Sequence, residues 1–144
     1  MPRIFGLNII AVLVAGIALW FIGALFYGVL FADLWMGLWG FGASDEARMA
    51  SSMGATMGAG FVLSLLVAGV LGFALKALKA DGLVPAIKWS VFLWAGFVLT
   101  TMSYDIVYAL QPLMLLVLDG AHMLTGFVIM AFLMTVLAKV AVKD

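Results

Sequence analysis

The stretch LMLLVLDGAHMLTGFVIMAFLMTVL, Leu113–Leu137, decides the fold class of this chain. It is apolar almost throughout, and as a helix rising about 1.5 Å per residue it is long enough to cross roughly 30 Å of hydrocarbon. Inside hydrocarbon every backbone N–H and C=O group needs an internal partner, which leaves helices and closed barrels. The apolar residues are continuous and do not alternate with polar ones, so the sequence predicts a membrane-spanning helix.

Three further segments, residues 7–27, 54–75 and 87–104, have the same character. Hydrophobic residues make up 67% of the chain and charged residues 10%, against about half and about a quarter in soluble domains. The connections are short, which makes neighbouring helices antiparallel. We therefore predict an all-α fold in which residues 1–144 form one domain, an integral membrane bundle of four transmembrane helices that run up-down-up-down.

The connection after the first span carries large apolar residues at intervals of three and four positions. These residues are Phe31, Leu34, Trp35, Leu38 and Trp39. The spacing is typical of a short amphipathic helix lying in the headgroup region, and a continuation of the first span is the alternative. Gly40 and Gly42 are expected to break the chain, and Ser44 to cap the next helix at its N-terminus.

The basic residues indicate how the spans are oriented. Six of the seven fall on one side of the predicted topology, namely Arg3, Lys76, Lys79, Lys88, Lys139 and Lys143. Only Arg48 falls on the other side. Because Lys and Arg are enriched in cytoplasmic loops, we predict that both termini are cytoplasmic.

Composition argues against several classes of function. Seven basic and seven acidic residues leave no net charge, so no long-range field attracts nucleic acid. The absence of cysteine excludes disulfides and thiolate ligands, and a single histidine argues against a histidine-based metal site. The sequence contains no paired nucleophile and base and no phosphate-binding glycine loop. We expect a protein that is not an enzyme and that uses no metal and no cofactor.

One polar group interrupts the last span. Asp119 and His122, the only histidine, are three residues apart and therefore share one face of a helix. Hydrocarbon tolerates such groups when they are paired, hydrated or turned inward. Candidate partners at a comparable height on other spans are Tyr27, Thr101, Tyr104 and Asp105. We predict a polar intramembrane site of Asp119, His122, Asp105 and Tyr104, with Asn8 as a capping or cross-linking residue at the cytoplasmic entrance to the first span.

Small residues predict where the helices approach each other closely. The second span carries a row of them four positions apart, Gly60, Ser64, Ala68 and Gly72, and such a row lets a second backbone approach. Gly96 marks a companion surface on the third span, and Gly126 lies on the same face of the last span as His122. We predict that these residues serve packing within the protein.

Three blocks of sequence resemble a known family. They are ALFYGVLFADLWM at 24–36, WAGFVLTTM at 94–102 and LLVLDGAHMLTGFVIMAFLM at 115–134. They resemble a bacterial family of four-helix inner-membrane proteins catalogued as domain of unknown function 1761. The Asp119-Gly120 element is the most specific part of the match, and Asn8 matches an asparagine near the start of the family's first helix. The resemblance implies the bacterial inner membrane and supplies no reaction.

These observations leave three hypotheses for function. In the first, Asp119 and His122 form a polar clamp, and the protein acts by helix packing as a homo-oligomer or an accessory subunit of a membrane complex. Its partners are then membrane lipids and a membrane protein or a second copy. In the second, the pair is a protonatable site of a small proton-coupled transporter or channel. In the third, His122 ligates a haem or pigment metal.

Overall fold

The structure is a computed structural model. It describes residues 3–4 and 6–140, and the side chains of residues 6–137. The side chains of Arg3 and Lys139 and the whole of Lys143, which enter the predicted orientation, lie outside these residues.

The described chain begins with a short antiparallel pair of strands, β1 (Arg3–Ile4) and β2 (Leu7–Asn8). The α-helices that follow are α1 (Ile9–Leu25), α2 (Ala32–Trp39), α3 (Ala43–Ala77), α4 (Leu83–Leu93), α5 (Thr100–Tyr108) and α6 (Leu113–Val140). Two π-helical segments continue them, Phe26–Leu30 after α1 and Trp94–Leu99 between α4 and α5.

Four helical stretches in the described part of the chain are long and apolar enough to cross a membrane. They are Ile9–Leu30, Ala43–Ala77, Leu83–Tyr108 and Leu113–Leu137. Each contains the larger part of one predicted span, so the all-α fold of four membrane-spanning helices is confirmed. The second stretch differs most, because it begins eleven residues before the predicted start at residue 54. At about 1.5 Å per residue, the 35 residues of α3 extend about 52 Å, well beyond the hydrocarbon thickness.

The short helix after the first span is confirmed as a separate element, α2. Phe31 leaves the helical region with φ −132° and ψ 21°, and Gly40 ends α2 in the left-handed conformation with φ 70°. The predicted cap at Ser44 is wrong. Gly42 precedes α3 instead, and its N–H donates to Asp45 Oδ2 at 3.1 Å. The carboxylate of Asp45 therefore reaches back to the start of the helix, as in the second half of a capping box.

The helices pack in the order α3, α1, α6, α4. Helix α1 packs against α3 on one side and α6 on the other, and α4 packs against the far side of α6. Ala15, Ala68, Met130 and Ala131 are fully buried where these helices meet. Many large apolar side chains elsewhere are exposed, which is the surface expected of a protein surrounded by lipid.

The predicted row of small residues on α3 faces the interior. Ala68 is fully buried, a Cβ on Gly60 would contact the ring of Trp20 at 3.9 Å, and one on Gly72 would contact Met134 at 3.4 Å. The hydroxyl of Ser64 donates to the carbonyl of Gly60 within the same helix at 2.9 Å. These residues therefore serve packing within the protein, as predicted.

The two glycines predicted on other spans differ in their surroundings. Gly126 lies directly against the side chain of Leu19 on α1, so it permits close approach of α6. Gly96, in contrast, has no described atom within 4 Å of the place a Cβ would occupy. Gly96 lies in the π-helical segment Trp94–Leu99, which packs against α6 and not against α3, so the predicted companion surface for the small residues of α3 is not found at Gly96.

Candidate functional site

Tyr27 joins the two polar residues of the last span. Its hydroxyl donates to Asp119 Oδ1 at 2.8 Å, and the same oxygen lies 3.2 Å from His122 Nδ1. The hydrogen-bonded chain Asp119–Tyr27–His122 therefore connects α6 to the end of the first span. Asp119 and His122 are brought together, as the sequence predicts, but through a tyrosine rather than directly.

The π-helical segment Phe26–Leu30 helps to position Tyr27. The N–H of Phe31 donates to the carbonyl of Phe26 at 2.8 Å, the i to i+5 pattern that widens a helical turn. Widening changes the direction in which side chains leave the helix, and both Phe26 and Tyr27 reach the imidazole of His122, with ring centroids 5.5 and 4.9 Å away. The tyrosine ring is also 5.2 Å from that of Trp35 on α2. His122 is thus enclosed by aromatic rings from the first span.

The second ring nitrogen of His122 has no hydrogen-bond partner among the described residues. Nε2 is buried and lies beside Gly23, where a Cβ would approach it to 3.3 Å. Buried polar atoms nearly always have a partner, so an exception needs an explanation. Two other such side-chain atoms, Trp39 Nε1 and Ser90 Oγ, occur in the described residues, and neither residue lines the cavity that His122 lines.

Two proton arrangements fit the distances in this chain. With Asp119 ionised, Tyr27 donates to the carboxylate and His122 Nδ1–H donates to the tyrosine oxygen, so Nε2 is an acceptor. With Asp119 protonated, the carboxyl donates to Tyr27, the tyrosine donates to Nδ1, and Nε2 carries a hydrogen. The two arrangements differ by one proton, which enters at Nε2 and is stored on Asp119. The geometry therefore allows proton relay across three residues.

An open cavity of about 730 Å³ lies beside this group, between the carboxy-terminal half of α1, α2, α3 and α6. Gly23, Tyr27 and His122 line it, together with the rings of Trp20 and Trp35. The methionines that line it are Met36, Met49, Met53, Met57 and Met123. This volume is within the range of sites for small organic molecules, which are mostly apolar with a few polar groups. We call this space the methionine pocket.

Few polar groups line the methionine pocket besides Tyr27 and His122. Glu46 lies at its edge and is exposed, and no lysine or arginine of the described chain lines it. The indole N–H of Trp20 is already used, because it donates to the carbonyl of Met57 at 3.1 Å. The hydroxyl of Ser64 is also bonded within its own helix. The hydroxyl of Thr56, which also lines the pocket, lies 3.5 Å from the hydroxyl of Ser52. Among the lining side chains, His122 is the one with a buried nitrogen that has no described partner.

The structure does not bring the other predicted residues into this group. Tyr104 is 61% exposed and its ring contacts Tyr108. Asp105 interacts with Asp119 through its charge but is not hydrogen-bonded to it in the described structure, and Thr101 donates to the carbonyls of Phe97 and Val98. Of the four partners considered for Asp119, Tyr27 alone is bonded to it. The helix that carries the others, α5, packs less closely on α6 than α1 does.

Asn8 is confirmed as a helix cap at the opposite end of the first span. Its side chain accepts a hydrogen bond from the N–H of Ile10 at 3.1 Å, which satisfies a free donor at the start of α1. Asn8 lines a second cavity of about 540 Å³, with Lys76 and Asp81. It is therefore not part of the Asp119 group.

The family is shown by comparison with known proteins. A family model described as a protein of unknown function (DUF1761) matches residues 10–135. The chain therefore belongs to this family, whose members have no assigned function. No curated protein and no solved structure matches the chain. Within the described residues, no group of three or more His, Asp or Glu side chains is placed to hold a metal ion.

Sequence reasoning missed the methionine pocket and the place of Gly23 beside His122. Methionine is common in apolar spans, and nothing in the sequence shows that Met53 and Met57 are exposed beside a pocket rather than buried in a core. The sequence indicates only that large residues on α2 and on the second span could enclose a space beside the first span. That signal cannot give a cavity, because a cavity depends on how α1, α2, α3 and α6 are placed relative to one another.

Proposed function

We propose that this protein binds a small lipophilic molecule in the methionine pocket and does not catalyse a reaction. The observation that supports the proposal is the buried Nε2 of His122, without a partner in the described chain, beside an apolar cavity of about 730 Å³. A bound molecule would fill the cavity and give this atom a partner. Empty apolar space forfeits dispersion contacts, and an unpaired buried nitrogen costs about 1–3 kcal/mol.

A polar clamp alone explains less of the geometry. Asp119 and Tyr27 do connect α6 to the first span, and this bond stabilises the pairing of the helices. A clamp needs neither the large open space nor a histidine with a free nitrogen. The transport hypothesis fits better, because Asp119–Tyr27–His122 can accept one proton from the pocket side. We propose that binding and the protonation of Asp119 are linked.

The same proposal includes a location and an orientation. The six-to-one distribution of basic residues supports cytoplasmic termini in the bacterial inner membrane. In this orientation the methionine pocket lies at the external side, where Glu46 and the exposed start of α3 would face the headgroups. A lipophilic molecule would then enter from the outer leaflet. The pocket is bounded there by α2, whose apolar residues suit the membrane interface.

The haem or pigment hypothesis has the least support. Nε2 of His122 lies against the backbone of Gly23, and a flat macrocycle centred on this nitrogen would overlap α1. A ligand that places one hydrogen-bonding atom at Nε2 needs much less room than a macrocycle and requires only a small rotation of the imidazole.

Photolabelling with an alkyl diazirine, with the protein in lipid nanodiscs, tests the binding function. Labelling of Met53 and Met57, which line the pocket, should saturate with probe concentration. Labelling of Val70, which is exposed on α3, should rise linearly as for any lipid contact. Ala50→Phe should reduce the saturable labelling several-fold because Ala50 lines the pocket. Ala47→Phe, on the same helix but outside the pocket, is the matched control.

The proposal is wrong if labelling of Met53 and Met57 does not saturate, or if Ala50→Phe and Ala47→Phe behave alike. Either result would show that the probe reaches these methionines as bulk lipid does. Peptide mapping by mass spectrometry gives the labelled positions.

Self-association, or binding of a partner protein, is a second candidate. The observation in its favour is that no described atom lies within 4 Å of the position of a Cβ at Gly54 or Gly58 of α3, although small residues at this spacing favour helix contacts. The chain has no natural cysteine, so Gly58→Cys should form a covalent dimer on oxidation in membranes if two copies meet there. Val70→Cys is the control, and equal cross-linking of both variants would contradict the hypothesis.

A further inference from the structure

The charge of the methionine pocket limits the chemistry of its occupant. The acidic residue at its edge is Glu46, and no lysine or arginine of the described chain lines it. An anionic head group such as a carboxylate or phosphate would lose its hydration without gaining a counter-charge. The end of the occupant that reaches His122 is therefore not anionic, and a neutral group suffices there because an imidazole nitrogen can donate or accept a hydrogen bond without a charged partner. Fatty acids and anionic phospholipids are therefore not the preferred ligands.

Nε2 of His122 can act either as a hydrogen-bond acceptor or as a donor. Nε2 of His122 accepts a hydrogen bond when Asp119 is ionised and donates one when Asp119 is protonated, as the distances to Tyr27 allow. A head group that alternates between a carbonyl and a hydroxyl can bind in both arrangements. The extra proton enters at Nε2 and is stored on Asp119, on the far side of Tyr27, so the change of role at Nε2 needs no new side chain in the pocket.

The aromatic side chains that line the pocket favour a flat ring. Tyr27 and Trp35 both line it, with ring centroids 5.2 Å apart at an angle of 51°, and the ring of Tyr27 also contacts the imidazole of His122. Aromatic faces at such angles provide surfaces for stacking and edge contacts. Further along, the walls are methionine and aliphatic side chains, which adapt to irregular apolar groups. The pocket thus suits a flat head followed by an apolar tail.

We infer that the preferred occupant is a neutral para-quinone or the corresponding quinol with an apolar tail. One ring oxygen would be hydrogen-bonded to His122 Nε2, after a small rotation of the imidazole past Gly23, and the tail would lie among the methionines. This inference rests on the proposed function, since it names the class of ligand for the same pocket. It concerns binding alone and includes no transfer of electrons.

Competition with the diazirine probe tests this inference. A decyl-substituted 1,4-benzoquinone should prevent labelling of Met53 and Met57 at about one-tenth of the concentration needed for decylbenzene, since one hydrogen bond is worth about tenfold in affinity. Decanoate and decyltrimethylammonium carry the same tail with an anionic or a cationic head and should compete no better than decylbenzene. The tail-matched series isolates the contribution of the head group.

Two variants examine the role of His122. His122→Phe should remove the tenfold advantage of the quinone, so that the quinone and decylbenzene compete equally whatever the affinity of the variant for the decyl tail. Gly23→Ala should reduce the same advantage several-fold, because its methyl group would lie 3.3 Å from Nε2 and hinder rotation of the ring. Gly69→Ala is the control, since Gly69 does not line the pocket and a Cβ there meets no described atom within 4 Å.

The possible outcomes separate this inference from the proposed function. If all four compounds compete equally, or if the ammonium compound competes best, the quinone inference is overturned while the binding function stands. An advantage of the quinone that persists in both His122→Phe and Gly23→Ala also overturns it. If labelling is not saturable in the first place, the binding function fails as well.

Discussion

Tyr27 satisfies two polar groups that α6 places among apolar side chains. Its hydroxyl bonds to Asp119 and lies within hydrogen-bonding distance of His122. The hydroxyl oxygen of Tyr27 is therefore a hydrogen-bonding partner for both a carboxylate and an imidazole of α6. Loss of that oxygen would leave both of the α6 side chains without their described hydrogen bonds, although neither would lose its apolar surroundings.

Tyr27→Phe should lower the free energy of unfolding by about 1–3 kcal/mol, because it removes the hydroxyl and keeps the ring. The measurement is thermal or denaturant unfolding of the purified protein in mild detergent, followed by intrinsic fluorescence. Tyr108→Phe is the matched control, because Tyr108 is 80% exposed and its ring contact with Tyr104 does not involve the hydroxyl. Equal stability of the two variants would show that the bond from Tyr27 to Asp119 contributes nothing.

At the scale of the helices, α1 is the element on which the others depend. It packs between α3 and α6, and small residues at Gly16 on α1 and Gly126 on α6 allow its two neighbours to approach. Gly16 tests this packing more strictly than Gly126 does, because a Cβ at Gly16 would lie 3.1 Å from the backbone Cα of Leu65. A backbone atom cannot be moved aside as the end of a flexible side chain can.

Gly16→Ala should therefore destabilise the protein by about 1–3 kcal/mol, as overpacking does elsewhere. Gly69→Ala on α3 is the control, since no described atom lies within 4 Å of its added methyl group, and it should be neutral or slightly stabilising. The same unfolding assay compares the two. A Gly16→Ala protein as stable as the Gly69→Ala protein would contradict the close packing of α1 against α3.

Most of the secondary structure could be predicted from the sequence, because it depends on local properties of each segment. Span length and hydropathy depend on each segment alone, and the spacing from Phe31 to Trp39 indicated α2. The π-helical segments could not be predicted, because Tyr27 and Trp94 occur in ordinary apolar runs. Gly96 was assigned to packing from its spacing, but its neighbourhood depends on which helices pack together, a property of the whole bundle.

The candidate site was predictable only in part for the same reason. The positions of Asp119 and His122 in an apolar helix showed where to look, and Tyr27 was one of four possible partners. The choice of Tyr27 over Tyr104 depends on the packing of α6 more closely against α1 than against α5. The methionine pocket depends on the relative placement of α1, α2, α3 and α6, which no local pattern of residues encodes.

At the scale of the whole molecule, the orientation in the membrane can be measured directly. Because the chain lacks cysteine, a single introduced thiol can be detected without background. We expect Ser52→Cys, near the exposed start of α3, to react with a membrane-impermeant maleimide in cells whose outer membrane has been removed and whose inner membrane is intact. Asp81→Cys, in the turn between α3 and α4, should react only after the membrane is opened.

The reverse pattern of labelling would show that the termini lie outside and would move the methionine pocket to the cytoplasmic side. Labelling of both positions in intact cells would indicate that the protein inserts in two orientations. Denatured samples of each variant give the maximum extent of reaction for comparison.

The pairing of the helices has a consequence for biogenesis. Helix α1 lies against α3, and α4 lies against α6, so the chain forms two hairpins joined by the turn at residues 78–82, and the main contact between the hairpins is that of α1 with α6. During synthesis the amino-terminal hairpin leaves the ribosome first. When the carboxyl group of Asp119 later enters the bilayer, a phenolic hydroxyl is already present to receive it, which lowers the barrier to inserting the final helix.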